Sequence, residues 1–126
     1  MCAWIPTTDM PSLRGKVAVV TGASCSVGIG LQIVRQLAQH GAKVYATTRS
    51  AKSAMKARNS FLQYPEIAPE AVEWLQLDLT DLRSITELAE DVKKRVSSLD
   101  ILVSNATAIT TSKKIVADRW EKNMAV

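Results

Sequence analysis

A short apolar run, a glycine-rich turn and an amphipathic run follow one another near the start of this chain. They occupy residues 16–20, 21–30 and 28–40. In a turn of this kind the first glycine permits a sharp bend, the next lets the backbone approach a ligand, and the last allows close helix–strand packing. The helix that follows directs its free amides at an anion. This layout is typical of a dinucleotide pyrophosphate site, although a helix-starting turn without a ligand has similar spacing.

The turn resembles the cofactor turn of the short-chain dehydrogenase/reductase family, written Thr-Gly-x-x-x-Gly-x-Gly. Five residues separate Gly22 from Gly28, whereas the family usually has three. Either Ser26 replaces the middle glycine or the loop is two residues longer. Counting back from Gly41, at the end of the helix, aligns the family's Gly-Ile-Gly with residues 28–30. We therefore place a two-residue insertion within residues 23–27.

The resemblance covers residues 15–126, about the first half of a typical family member. It implies an α/β fold: a Rossmann-type doubly wound parallel sheet with strand order 3-2-1-4, truncated after about four strands. Residues 1–14 are predicted to be an irregular lead-in segment, and residues 15–126 a partial NAD(P)-binding domain. The implied activity is that of an oxidoreductase that interconverts an alcohol and a carbonyl compound. The residues implied to cradle the pyrophosphate are Gly22, Ser24, Gly28, Ile29 and Gly30.

The end of the second predicted strand bears on which nicotinamide cofactor is bound. Binders of NAD(H) often place Asp or Glu about 20 residues after the glycine motif, where it holds the ribose 2′-hydroxyl. This chain has Thr48 and Arg49 there, and a guanidinium can pair with a 2′-phosphate. We therefore expect NADP(H) rather than NAD(H), the alternative being that Arg49 is an ordinary exposed side chain.

Two further segments match family positions beside the cofactor. The pair Asp78 and Leu79 follows the third predicted strand, and the resemblance implies that it contacts the adenine. Asp78 could instead be a strand-end cap. The pair Asn105 and Ala106 follows the fourth strand, where relatives use the Asn to steady the central sheet and the Ala to back the ribose.

Periodicity predicts the remaining elements. Strands are expected at 16–21, 43–47, 72–77 and 101–104, and helices at 28–40, 50–62 and 82–96. The third helix should bury a stripe formed by Leu82, Ile85, Ala89, Val92 and Val96. A fourth helix is expected from near Ile115, with Val116, Trp120 and Met124 on one face, and no stop signal follows it. The fourth strand should leave an apolar edge open to association.

No catalytic residue can be assigned. The family reaction uses a Tyr with a Lys four residues later, together with a Ser and an Asn. Here Tyr45 is followed by Arg49 at that spacing, and Tyr64 by Ala68. A small alcohol or carbonyl substrate is thus expected only for a full-length protein. The alternative is a non-catalytic module that binds a nucleotide or a partner.

Composition and charge indicate which kinds of ligand and which cellular location to expect for this chain. The net charge is +4, and residues 1–63 hold eight Lys and Arg side chains against the single acid Asp9. A basic first half suits an anionic ligand. The sequence has no basic stripe interleaved with aromatic residues, so nucleic-acid binding is not expected. No apolar run is long enough for a membrane span, and the first residues lack signal-peptide features. Cys2 and Cys25 form neither a disulfide framework nor a metal-binding pattern, so a cytoplasmic location is expected.

Overall fold

The structure is a computed structural model that describes residues 3–24, 28–109, 111, 114–116 and 120–126. Both cysteines, Cys2 and Cys25, lie outside the described residues. The predicted insertion falls mainly on residues 25–27, which are outside them as well. So do residues 117–119 of the last predicted helix.

Strands and helices alternate along most of the chain, as in a parallel α/β protein. The strands are β1 (Val17–Val20), β2 (Lys43–Thr48), β3 (Val72–Gln76) and β4 (Ile101–Val103). The helices are α1 (Pro6–Asp9), α2 (Ile29–Gln39), α3 (Ala51–Phe61) and α4 (Leu82–Arg95). The predicted strands and the first three predicted helices are confirmed to within one residue at each end. The one-turn helix α1 lies inside the segment predicted to be irregular.

The four strands form one parallel sheet in the order β3-β2-β1-β4, as expected for a Rossmann-type fold. In the sheet register, Val19 of β1 lies opposite Tyr45 of β2 on one side and opposite Leu102 of β4 on the other. This order places β1, and the glycine-rich turn that follows it, at the centre of the sheet.

Successive residues of the central strands point to opposite faces of the sheet, and both faces are covered. Ala18 and Val20 belong to the core beneath α2, together with Val44 of β2. Val19 and Tyr45 face the other way, against Val92 of α4. A strand buried on both faces needs apolar residues at every position, which explains the unbroken apolar run in the sequence.

The α4 side of the sheet is less completely covered than predicted. Of the expected α4 stripe only Val92 is buried, and Leu82 is 51% exposed. On β4, Leu102 is 63% exposed, and β4 pairs only with β1 within the described sheet. Because β4 is only three residues long, it offers α4 little apolar surface to cover. Association through this edge stays a prediction.

The helix predicted from near Ile115 is wrong over most of its described length. Strands β5 (Ile115–Val116) and β6 (Trp120–Glu121) pair antiparallel instead, and only α5 (Lys122–Ala125) is helical. The apolar face that suggested a helix is not buried, since Trp120 is 58% and Met124 74% exposed. Because short helices depend on burying such a face, the β-branched pair at 115–116 takes the extended conformation.

In the part of the chain that the structure describes, no helix combines the length and the apolarity that crossing a bilayer requires.

Replacing Val44 with Ala tests where the main core lies. Val44 is fully buried in β2, so the cavity left by the substitution should lower the free energy of unfolding by about 2 kcal/mol. Urea denaturation followed by circular dichroism measures the loss. Leu62→Ala is the control, because Leu62 is 79% exposed. Equal losses in the two variants would contradict this core assignment.

Candidate functional site

A cavity of about 400 Å³ opens at the carboxyl ends of the parallel strands. We call it the carboxyl-end cavity. Every residue that the sequence predicted for a cofactor site lines it: Gly22, Ser24, Gly28, Ile29, Gly30, Arg49, Asp78, Leu79, Asn105 and Ala106. These residues come from the four segments that follow β1, β2, β3 and β4, the first of which includes the start of α2. The parallel sheet brings these segments together because all of its strands end at the same side.

Several lining residues were missed by sequence reasoning. They are Thr47, Thr48, Ser53, Leu77, Thr80, Thr107, Ala108, Lys122 and Val126. The strand-end residues, such as Thr48 and Leu77, could have been found from their position directly before a predicted site residue. Ser53 lies one turn of helix after Arg49. Lys122 had no usable signal, because it was assigned to one long helix starting near Ile115, whereas Ile115–Val116 and Trp120–Glu121 are paired strands.

The ends of β1 and β4 are interlocked by Thr21 and Asn105. The buried Thr21 Oγ1 accepts hydrogen bonds from the backbone N–H groups of Asn105, at 3.1 Å, and of Ala106, at 3.0 Å. In return, Asn105 Nδ2 donates to the carbonyl oxygens of Thr21, at 2.9 Å, and of Gly22, at 3.2 Å. The loop after β4 is therefore fixed against the first residues of the glycine-rich turn.

Two glycines make this interlock sterically possible. Gly22 has φ +73°, and a Cβ there would lie 2.6 Å from Ala106 Cα. A Cβ on Gly30 would lie 2.5 Å from Asn105 Nδ2 and 2.7 Å from the Gly22 carbonyl oxygen. Any side chain at either position would push the start of α2 away from the ends of β1 and β4.

The N-terminus of α2 contributes partial positive charge to the cavity. Gly28 occupies the N-cap position and supplies no side-chain hydrogen bond, and the first turn carries no acidic residue. Residues 28–30 line the carboxyl-end cavity. Since the first amides of a helix lack intrahelical partners and carry partial positive charge, this end of α2 is suited to an anion.

A second source of positive charge lies at the start of α3. Arg49 is exposed and forms no salt bridge within the described residues. Next to it, Ser50 caps α3 by accepting a hydrogen bond from the N–H of Ser53 at 3.2 Å, and the two serine hydroxyl oxygens lie 3.0 Å apart. Arg49 and Ser53 both line the carboxyl-end cavity.

Asp78 lines the cavity and also caps the loop that follows β3. Its Oδ1 accepts hydrogen bonds from the backbone N–H of Thr80, at 2.9 Å, and from Thr80 Oγ1, at 2.6 Å. These hydrogen bonds, led by the hydroxyl, lower the pKa of Asp78, and the positive charges of Arg49 and Lys122 act in the same direction. The carboxylate therefore stays ionised at neutral pH.

Comparison with known proteins relates this arrangement to a family. The family model described as short chain dehydrogenase matches residues 16–126. Over 123 residues the chain is 42% identical to the short chain dehydrogenase/reductase dpchH of Colletotrichum higginsianum, covering 95% of this chain and 30% of that protein. Over 91 residues it is 44% identical to (+)-neomenthol dehydrogenase of Arabidopsis thaliana, covering 72% of this chain and 30% of that protein. The chain thus spans about 30% of the length of these relatives.

Solved structures agree with the observed fold. An uncharacterized protein from Mycobacterium paratuberculosis superimposes with a TM-score of 0.78 and 28% identity, over 98% of this chain and 41% of that one. A metagenomic short-chain oxidoreductase in complex with NADP superimposes with a TM-score of 0.65 and 34% identity, over 77% of this chain and 41% of that one.

Thr21→Val should show what the interlock contributes to stability. The substitution keeps the shape of the side chain but leaves the N–H groups of Asn105 and Ala106 without their acceptor, so the free energy of unfolding should fall by about 2 kcal/mol. Thr21→Ser keeps the hydroxyl and should lose much less. Urea denaturation measures both variants, and a loss in Thr21→Ser as large as that in Thr21→Val would contradict this role of the hydroxyl.

Thr80→Val removes the hydroxyl that lowers the pKa of Asp78, so that pKa should rise toward its ordinary value of 3.8. Because the folded pKa in the native chain is depressed, the associated stability is present above the unfolded pKa and is lost as the pH falls through the folded pKa. The variant should therefore be less stable at pH 7 than the native chain, with a difference that shrinks below pH 3.8.

Carbon-detected NMR titration of the Asp78 carboxyl measures the shift directly. The control is Thr86→Val, since the Thr86 hydroxyl donates to the Leu82 carbonyl oxygen on α4 instead. An unchanged Asp78 titration in Thr80→Val would refute the assigned cause.

Proposed function

The chain belongs to the short-chain dehydrogenase/reductase family, and from that premise we propose that it is the cofactor-binding part of an NADP(H)-dependent oxidoreductase acting on an alcohol or a carbonyl compound. The observation that carries the proposal is the convergence of all ten predicted site residues on the carboxyl-end cavity. Ligands of open α/β sheets bind at this end of the strands, where the order of the strands reverses. Here that reversal occurs between β1 and β4.

The residues present fit a dinucleotide. The uncapped start of α2 suits its diphosphate, and Gly22 and Gly30 keep the turn close to the sheet so that those amides border the cavity. The adenine half would lie toward Asp78 and Leu79, and the nicotinamide ribose toward Asn105 and Ala106. This chain contributes binding and orientation, because the hydride chemistry belongs to the nicotinamide once it is bound.

The preference for NADP(H) rests on the charges at the end of β2. Arg49 has no carboxylate salt-bridge partner within the described residues, so its guanidinium is available to a 2′-phosphate. The carboxylate in the same cavity, Asp78, already accepts two hydrogen bonds from Thr80. A site in which the guanidinium is available and the carboxylate is already hydrogen-bonded favours NADP(H) over NAD(H).

A second candidate is a nucleotide-binding module without catalysis. It is favoured by the placement of both tyrosines away from the carboxyl-end cavity. Tyr45 is buried against the α4 side of the sheet, and Tyr64 packs its ring 4.2 Å from the Arg35 guanidinium carbon. Neither can donate a proton to a carbonyl group held in the cavity. Turnover of a carbonyl substrate with NADPH by this chain would exclude the second candidate.

Cofactor titration of Arg49→Ala tests the proposed specificity. The native chain should bind NADPH saturably and more tightly than NADH. The substitution should weaken NADPH binding by about 10- to 100-fold, because it removes charge-assisted hydrogen bonds. NADH binding should change by less than about threefold, since NADH lacks the 2′-phosphate. Isothermal titration calorimetry measures all four affinities.

The matched control is Lys52→Ala, which removes an exposed cation in the first turn of α3, close to Arg49 in the sequence but outside the cavity lining. It should leave NADPH affinity nearly unchanged. Absence of saturable NADPH binding at millimolar cofactor would reject the nucleotide site altogether. An equal effect of Arg49→Ala on NADH and NADPH would reject only the role of Arg49.

A further inference from the structure

Lys122 brings a third charged side chain to the carboxyl-end cavity. Among the described residues that line this cavity, the charged side chains are those of Arg49, Asp78 and Lys122. Lys122 is half-buried and is the first residue of α5. The function proposed above gives a role to Arg49 and Asp78 but leaves the charge of Lys122 unexplained.

The position of Lys122 is set by its backbone and not by its side chain. Strand β5 pairs antiparallel with β6 directly before it, and the Lys122 N–H donates a 2.9 Å hydrogen bond to the Lys114 carbonyl oxygen. The Lys122 ammonium forms no salt bridge within the described residues. Its charge is therefore not needed to hold β5 and β6 together, and it is available to a ligand in the cavity.

Both cations of the cavity lie near the carboxylate of Asp78. Hydrogen bonds from Thr80 contribute most to the lowered pKa of Asp78, and the positive charges of Arg49 and Lys122 lower that pKa further. Neither cation forms a salt bridge with Asp78 within the part of the chain that the structure describes. Arg49 and Lys122 therefore lie on the side of the cavity where Asp78 follows β3, and that acid occupies neither of them.

The strand order separates these charges from the start of α2. Asp78 follows β3 and Arg49 follows β2, whereas α2 follows β1, and the sheet runs β3-β2-β1-β4. The function proposed above places the adenosine half of the cofactor toward Asp78 and the diphosphate at the start of α2. A phosphate group near both cations is therefore the 2′-phosphate of the adenosine and not the diphosphate.

The charges of the ligand and of the cavity also require a second cation. A phosphate monoester carries a charge of about −1.5 to −2 at pH 7. Because Asp78 is ionised, its charge offsets that of one cation, and Arg49 with Asp78 alone would give no net attraction for such a group. Lys122 makes the sum over the three side chains positive, and unlike charges attract more strongly in a partly water-excluded cavity.

We propose that Lys122 is a second specificity-determining cation of the carboxyl-end cavity, and that its ammonium and the Arg49 guanidinium together bind the 2′-phosphate of NADP(H). The assignment rests on the function proposed above, because it takes the cavity to be a dinucleotide site. It adds that the segment after β4, through the first residue of α5, takes part in the choice between NADP(H) and NAD(H).

Calorimetric titration of Lys122→Met with NADPH and NADH tests the proposal. The substitution keeps an unbranched side chain of similar length and removes only the charge. It should weaken NADPH binding by about tenfold, because a charge-assisted contact to the phosphate is lost. NADH binding should change by less than about twofold, since NADH has no 2′-phosphate. The unchanged NADH affinity also shows that the variant is folded.

Two further variants serve as controls. Lys122→Arg keeps the charge and should retain most of the preference for NADPH. Lys114→Met makes the same substitution at an exposed lysine of the same segment, outside the cavity lining, and should bind both cofactors as the native chain does. A loss of NADPH affinity in Lys114→Met equal to that in Lys122→Met would overturn the proposal, because net charge alone would then explain the effect.

The outcomes separate this proposal from the function on which it rests. If the native chain binds NADPH and Arg49→Ala weakens that binding but Lys122→Met does not, the role of Lys122 is overturned and the dinucleotide site stands. Equal losses of NADPH and NADH affinity in Lys122→Met also overturn the assignment to the 2′-phosphate. If the native chain does not bind NADPH saturably at millimolar cofactor, both the proposed function and the role of Lys122 are rejected.

Discussion

The interlock between the ends of β1 and β4 holds the rest of this structure in place. One hydroxyl, Thr21 Oγ1, accepts two backbone N–H groups from the loop after β4, and Asn105 returns two hydrogen bonds to the start of the glycine-rich turn. The contact is so close that Gly22 and Gly30 have no room for a Cβ. The interlock fixes where α2 begins relative to the ends of β1 and β4, and therefore the direction in which the first backbone N–H groups of α2 point.

The charges around the carboxyl-end cavity follow from that geometry. The start of α2 contributes partial positive charge, and Arg49 adds a full one at the end of the neighbouring strand. The acid in the cavity, Asp78, is held ionised by Thr80 and closes its own loop through the same hydrogen bonds. This distribution of charge supports the proposed preference for NADP(H).

Burial is unequal on the two faces of the sheet. The larger hydrophobic core lies on the face under α2 and α3, and its buried residues include Ala18 and Val72. The core on the α4 face consists of three buried residues among those described: Val19, Tyr45 and Val92. Stability is thus concentrated on the side of the sheet that supports the glycine-rich turn. The α4 face and the β4 edge leave apolar surface such as Leu102 exposed.

Apolar periodicity and glycine spacing are local signals, and from them the sequence predicted the strands, the first three long helices and the glycine-rich turn. The resemblance to a family supplied Asp78, Leu79, Asn105 and Ala106, which line the same cavity. The sequence could not reveal that Thr21 and Asn105 are partners, since 84 residues separate them. Nor could it show that Lys122 lines the cavity, or that Ile115–Val116 and Trp120–Glu121 pair as antiparallel strands. An apolar stripe predicts a helix only if some surface covers that stripe, and whether such a surface exists is decided by the tertiary structure.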